Sequence, residues 1–198
     1  MKVTTAALIA VVAVASIWGT AQTPNVRVKP IRERTIHVDT TPPPSSLNDM
    51  VDEAAAIVVS RYDGQSRLVE TVLDPKLPPH RATAYAFRIL EVIKSDPLLP
   101  GVGGVFSVEL PGGDKELPDR IDRSRIADSS PIYDGRDYII FLRRNTVRPE
   151  LHPAWGMSSF FDISRDRVAA LNWQRRFYND RSPAAFKAEL RSLAAANR

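Results

Sequence analysis

The sequence predicts a mainly β domain with flanking helices, an α+β fold whose strands curl into a closed barrel. Three observations carry this expectation. Residues 82–94 alternate apolar side chains over a length that suits a curved strand, with both faces covered. Residues 137–142, Asp-Tyr-Ile-Ile-Phe-Leu, run apolar without a break and belong at the centre of a sheet. Asp63-Gly64 and Asp134-Gly135 punctuate the β-branched runs as turn signals, because glycine tolerates the positive φ that tight turns need.

The chain opens with Lys2, an apolar run over residues 6–17, and Gly19-Thr20-Ala21 before Gln22. This is the three-part layout of a secretory signal peptide over residues 1–21, which predicts a secreted or periplasmic protein. The alternative is an uncleaved N-terminal membrane anchor. Thr4, Thr5, Ser16 and Thr20 keep the apolar run short of the roughly 20 residues a membrane span needs. Residues 22–46 form a Pro/Thr-rich basic linker ending in Pro42-Pro43-Pro44, a stiff and extended spacer. Within it, residues 34–38 alternate, so an edge strand is the other reading of that piece. The folded domain is expected over residues 47–198.

Its elements follow in order. Ser46 is placed to cap a short helix with Asp49, Asp52 and Glu53 in its first turns, where the helix dipole favours acids. Residues 55–61, Ala-Ala-Ile-Val-Val-Ser-Arg, predict a strand; Tyr62-Asp63-Gly64 predicts a hairpin turn, and residues 68–73 the returning strand. Residues 74–80 hold three prolines and predict a loop. In the long strand, Tyr85, Phe87, Ile89 and Ile93 share one face, and Ala86, Leu90 and Val92 the other. Gly101, Gly103 and Gly104 bend the chain into a strand at residues 105–110, which Pro111-Gly112-Gly113 ends. Residues 114–131 are polar and aperiodic and predict a long loop with room for one helical turn. Residues 159–163 and 168–173 predict a closing hairpin. Ser182, Pro183 and the stripe Phe186, Leu190, Leu193 predict a C-terminal helix on the outside of the barrel.

This order of signatures resembles a known family. Ala-Ala-Ile-Val-Val, then Tyr-x-Phe-x-Ile-x-Glu-Val-Ile-Lys at residues 85–94, Val-x-Leu-Pro-Gly-Gly at 108–113 and Asp-Gly-x-x-Tyr-Ile-Ile-Phe-Leu at 134–142 are similar to netrin-like barrel domains. That is the fold of the tissue inhibitors of metalloproteinases, and of many exported bacterial proteins of unknown function. The resemblance implies an OB-like closed barrel of about five or six strands with extra helices. It does not carry over protease inhibition. Those inhibitors chelate the zinc of their target through an N-terminal cysteine, and this chain has no cysteine.

The missing cysteine also excludes disulfide staples, thiolate metal sites and cysteine nucleophiles. His37, His80 and His152 stand in no metal-binding spacing, and neither a Gly-x-Ser-x-Gly elbow nor a Ser-x-x-Lys pair occurs. Gly101-Val102-Gly103-Gly104 lacks the Lys-Ser/Thr ending of a phosphate loop. No catalytic residue, cofactor or metal is therefore expected. Charge is uneven: residues 49–119 carry 12 acids and 7 bases, residues 120–198 carry 9 acids and 15 bases. Arg143, Arg144, Arg148, His152 and Trp155 gather cations and an aromatic after the central strand, a combination suited to anionic polymers, sugars or acidic peptides. They are the candidate ligand-binding residues. The expected function is an exported, non-enzymatic domain that binds a protein, peptide or glycan in the cell envelope, with no nucleic acid and no membrane span once the leader is cleaved. Two alternatives stand beside it: an envelope enzyme with scattered acid/base residues, and a membrane-tethered structural accessory protein.

Overall fold

The computed structural model describes residues 28–36, 42, 44–71, 80–146, 149–172 and 178–197. The leader, His37, Arg148 and Trp173 lie outside the described residues. Strands are β1 (Ile31–Ile36), β2 (Ala56–Thr71), β3 (His80–Lys94), β4 (Val105–Pro111), β5 (Gly113–Glu116), β6 (Ile121–Ile126), β7 (Asp137–Arg144), β8 (Leu151–Pro153), β9 (Phe160–Asp162) and β10 (Ala169–Ala170); helices are α1 (Leu47–Glu53) and α2 (Pro183–Ala196). The architecture is mainly β with two helices, an α+β fold. Among the described residues no helix is long and apolar enough to cross a membrane.

A seven-stranded antiparallel sheet runs in the order β10-β9-β7-β2-β3-β4, with β8 pairing β7 beside β9. Strand β7 sits inside it because Tyr138 to Leu142 are all buried, so each face of that strand needs cover. One face packs under the helices: Ile57, Val59, Ile139, Phe141 and Phe161 meet Met50 and Val51 of α1 and Phe186 and Leu190 of α2. The other face curls on itself around Phe87. Its ring lies 5.6 Å from Tyr62, 5.9 Å from Phe106, 6.0 Å from Tyr138 and 6.0 Å from Phe160, so β2, β3, β4, β7 and β9 converge on one side chain. Strand β4 approaches β8 across this curl. No hydrogen-bonded ladder among the described residues joins β4 to the far end of the sheet, so its path is open rather than closed.

Helix α2 forms for the reasons its sequence gives. Ser182 Oγ accepts from Ala185 N at 3.2 Å, Pro183 occupies the first turn, and Phe186, Leu190 and Ala194 are buried along one stripe. Helix α1 is capped likewise, with Ser46 Oγ accepting from Asp49 N at 3.1 Å.

Three segments differ from expectation. Tyr62-Asp63-Gly64 is not a hairpin turn: β2 continues through it to Thr71, pairing β3 on both sides of a bulge between Tyr62 and Ser66. Gly64 takes φ +76°, and a Cβ there would sit 2.9 Å from the Asp134 carboxyl group. The positive φ serves a bend that frees β2 from β7 while leaving it on β3. In β3, register shifts between Ile57/Val58 and Val59/Ser60 leave β3 with extra residues opposite β2. Each shift inverts the alternation, so Ile93 lies under the helices and Val92 packs with the Phe87 cluster, the reverse of the simple pattern. Residues 114–131 are not one long loop but carry most of β5 and all of β6. These belong to a separate three-stranded sheet, β1-β6-β5, in which β1 runs parallel to β6. Residues 31–36 of the expected linker thus form an edge strand.

Candidate binding cleft

Strand β4 runs through Gly112 into β5, so the small sheet leaves the large one at a sharp bend and folds back across its concave mouth. A cleft of about 120 Å³ lies in the angle between them. Its floor is apolar: Leu110 from β4, Ile126 from β6, Ile132, and Met157 from the turn before β9. Its walls are polar: the Tyr85 ring edge, Asp114, Ser124, Arg125, Ser129 and Ser130.

Five of the wall residues are held by described neighbours. Tyr85 stands edge-on to Tyr62, with ring centroids 5.4 Å apart, and burial together with Tyr62 pushes its phenol above the usual tyrosine range. It therefore stays protonated through neutral pH. Asp114 takes a fork from Arg123, at 3.0 Å from Nε and 2.7 Å from Nη2. Arg125 Nε reaches Glu33 of β1 at 2.9 Å. Ser129 Oγ donates to Ile126 O at 3.0 Å, and Ser130 N donates to Leu171 O at 2.8 Å, fixing the loop that closes one end. The same loop is tied from below by Tyr138, whose hydroxyl accepts from Tyr133 N at 2.8 Å; burial pushes that phenol up to about 12.

Strand β5 is anchored to the large sheet by charge. Glu70 of β2 receives Lys115 Nζ at 2.9 Å and Arg81 Nε at 3.1 Å. The Lys115 hydrogen bond holds the Glu70 carboxyl below the usual glutamate range, against burial, which works the other way, and Arg81 adds to the lowering. A carboxyl lowered on folding stabilises the fold above its unfolded value of about 4.3, and this is lost as pH falls through the lower folded value. Lys115→Met is expected to move the Glu70 titration upward, read by carbon-detected NMR, and to flatten the fall in melting temperature below about pH 4. An unchanged Glu70 titration would show that Lys115 is not its partner in solution.

The residues singled out in the sequence lie elsewhere. Arg143 and His152 face one another across the β7–β8 ladder. Arg143 Nη1 is 4.0 Å from Glu53, and His152 Nδ1 is 3.1 Å from the carbonyl of its neighbour Pro153. Arg144 Nε bonds Asp96 at 2.7 Å, and that buried carboxylate also accepts from Leu98 N at 2.9 Å. Trp155 is buried at 1% exposure with its ring 6.1 Å from Phe141, so its indole serves the core under the helices and not a surface patch. Arg148 lies outside the described residues. Arg143 and His152 are thus brought together, while Arg144 and Trp155 are engaged apart from them.

Sequence reasoning missed Tyr85, Asp114, Ser124 and Arg125 as site residues. The signal available was the charge order of Asp114 and Lys115 against Asp122 and Arg123, which become opposed pairs once β5 and β6 lie antiparallel. Among the described residues no three His, Asp or Glu side chains gather closely enough to hold a metal ion. No protein-family model matches this chain, and no curated protein matches it.

Proposed function

We propose that this chain is an exported recognition domain whose cleft takes one apolar side chain of a protein or peptide partner. The observation that carries the reading is the make-up of the cleft, an apolar floor of Leu110, Ile126, Ile132 and Met157 under a rim of hydroxyls. Its volume of about 120 Å³ is near that of an engineered apolar cavity which accepts benzene, so a single leucine-sized or phenyl side chain suits it. The export half of the reading rests on the leader at residues 1–21; intact-mass analysis of exported protein that still begins at Met1 would overturn cleavage of that leader, and absence of the chain from the exported fraction would overturn export. The netrin-like kinship rests on the strand signatures at residues 85–94, 108–113 and 134–142, and barrels of OB type commonly bind at a strand face and its bordering loops.

The test is a methyl NMR titration of the full chain with N-acetyl-leucinamide. Saturable shifts are expected at Met157, Ile126 and Ile132, with none for the N-acetyl-aspartate amide. Ser130 is exposed on the rim, so Ser130→Trp fills the entrance without touching the core and is expected to abolish those shifts at an unchanged melting temperature. Shifts that persist with the entrance filled, or no shifts at all, would remove the cleft as the recognition site.

A further inference from the structure

Strand β1 contributes little to any core. Five of its six residues are exposed and Ile36 is half-buried, yet the segment pairs in full register with β6, from Ile31 opposite Ile121 to Ile36 opposite Ile126. What holds it is main-chain hydrogen bonding. Ile121 N donates to Pro30 O at 3.0 Å and Ala127 N to Ile36 O at 2.9 Å, which fixes the phase of the parallel ladder. In that phase the N–H groups of Arg32, Arg34 and Ile36 point to β6, and those of Glu33 and Thr35 point away. Two exposed ion pairs, Glu33 with Arg125 at 2.9 Å and Lys29 with Glu116 at 2.6 Å, flank the ladder, and pairs of that exposure add little. The ten residues 37–46 tether β1 to α1, and a chain of that length reaches at most about 33 Å.

We propose that the outer edge of β6 is a strand-acceptor site, and that residues 31–36 exchange between copies of this chain. β1 itself carries no buried side chain, Ile36 being half-buried beside Gly112, and β6 has its own pairing with β5. The Ile31–Ile36 segment of a second copy meets the same edge in the same register, with its Glu33 beside Arg125. Because Arg125 also lines the cleft, the arriving strand completes a wall of the recipient's cleft. The tether keeps a copy's own strand at an effective concentration of about millimolar, so the self-docked form prevails in dilute solution and exchange emerges where copies are crowded.

The experiment uses the full chain and a fluorescent peptide of residues 28–37, read by anisotropy. Arg34→Pro in the chain removes an N–H that faces β6 and weakens the resident strand. That variant is expected to bind the peptide about tenfold more tightly than the unaltered chain. In the peptide, Arg34→Pro is expected to abolish binding, whereas Thr35→Pro, which removes an outward N–H, is expected to leave it. Size measurement of the unaltered chain is expected to show a dimer that grows toward millimolar concentration. Equal binding of the two proline peptides, no gain in the Arg34→Pro chain, or a dimer fraction independent of concentration overturns the exchange. Loss of the folded state in the Arg34→Pro chain overturns it too, since β1 would then carry more of the fold than its exposure allows.

Discussion

Leu190→Asp is expected to destabilise the domain by about 4 kcal/mol, a fall of about 10 °C in melting temperature. Leu190 has no exposed surface and lies in the cluster that joins α2 to α1 and to the outer face of the sheet. A carboxylate there has no cation to pair with inside that cluster, so it must protonate or pull the helix away. Ala188→Asp is the matched control, since it places the same acid on the exposed side of α2. It is expected to cost under about 1 kcal/mol. Both variants place an acid on α2, one on its buried face at the loss of a packed leucine and one on its exposed face, so melting temperatures within a degree or two of each other would mean that α2 is undocked in solution. The ion cluster over the same contact is no substitute for the apolar stripe. Arg191 Nε lies 2.9 Å and Lys187 Nζ 3.3 Å from Glu91, but these groups are partly solvated. Burial works to raise the Glu91 carboxyl, and hydrogen bonds from Arg191 and Lys187 outweigh it to give a net lowering. That is the signature of a registered contact at the rim, not of the main source of stability.

How far the sequence spoke depended on what each element buries. Strand β7 and helix α2 were legible because each signals its own environment: an unbroken apolar run for a strand covered on both faces, a stripe at helical spacing for a helix covered on one. The 55–61 strand was legible for the same reason, but the fate of Tyr62-Asp63-Gly64 was not. A glycine at positive φ serves a two-residue turn and a bulge equally well, and only the pairing of residues 66–71 with β3 distinguishes them. Ile93 and Val92 exchanged faces because a bulge is a property of two strands together, invisible in either alone. Strands β5 and β6 were the hardest. Their side chains answer one another, Asp114 with Arg123 across one ladder and Glu33 with Arg125 across the next, so neither strand shows a run of apolar residues. The candidate cleft was hidden for that same reason, being built where the hidden strands meet Tyr85 and Leu110. Trp155 marks the opposite failure: an aromatic beside arginines reads as a surface patch until the fold turns the loop inward.

Gly113→Ala is expected to cost about 3 kcal/mol and to deform the cleft, because the bend between β4 and β5 is built on the missing side chain. Gly113 has φ +128°, and a Cβ on it would lie 2.2 Å from Thr83 Oγ1 and 3.0 Å from Leu68 Cδ1. The nearer contact cannot be relieved freely, since Thr83 Oγ1 donates to Gly112 O at 3.0 Å, and turning the hydroxyl away gives up that bond beside the bend. Two penalties are therefore stacked, one steric and one conformational, and a double-mutant cycle separates them. Thr83→Ala alone is expected to cost about 1 kcal/mol for the lost hydrogen bond. In that background Gly113→Ala should cost about 1 to 2 kcal/mol less than in the unaltered chain, leaving the share that belongs to positive φ. Gly101→Ala is the control, at a glycine with open space around its would-be Cβ, and is expected to be near neutral. Denaturant midpoints of the four chains decide the matter. Strict additivity of Gly113→Ala and Thr83→Ala would mean that the two side chains do not meet, so the small sheet would join the large one by a looser bend that could not hold Tyr85 and Asp114 on one cleft.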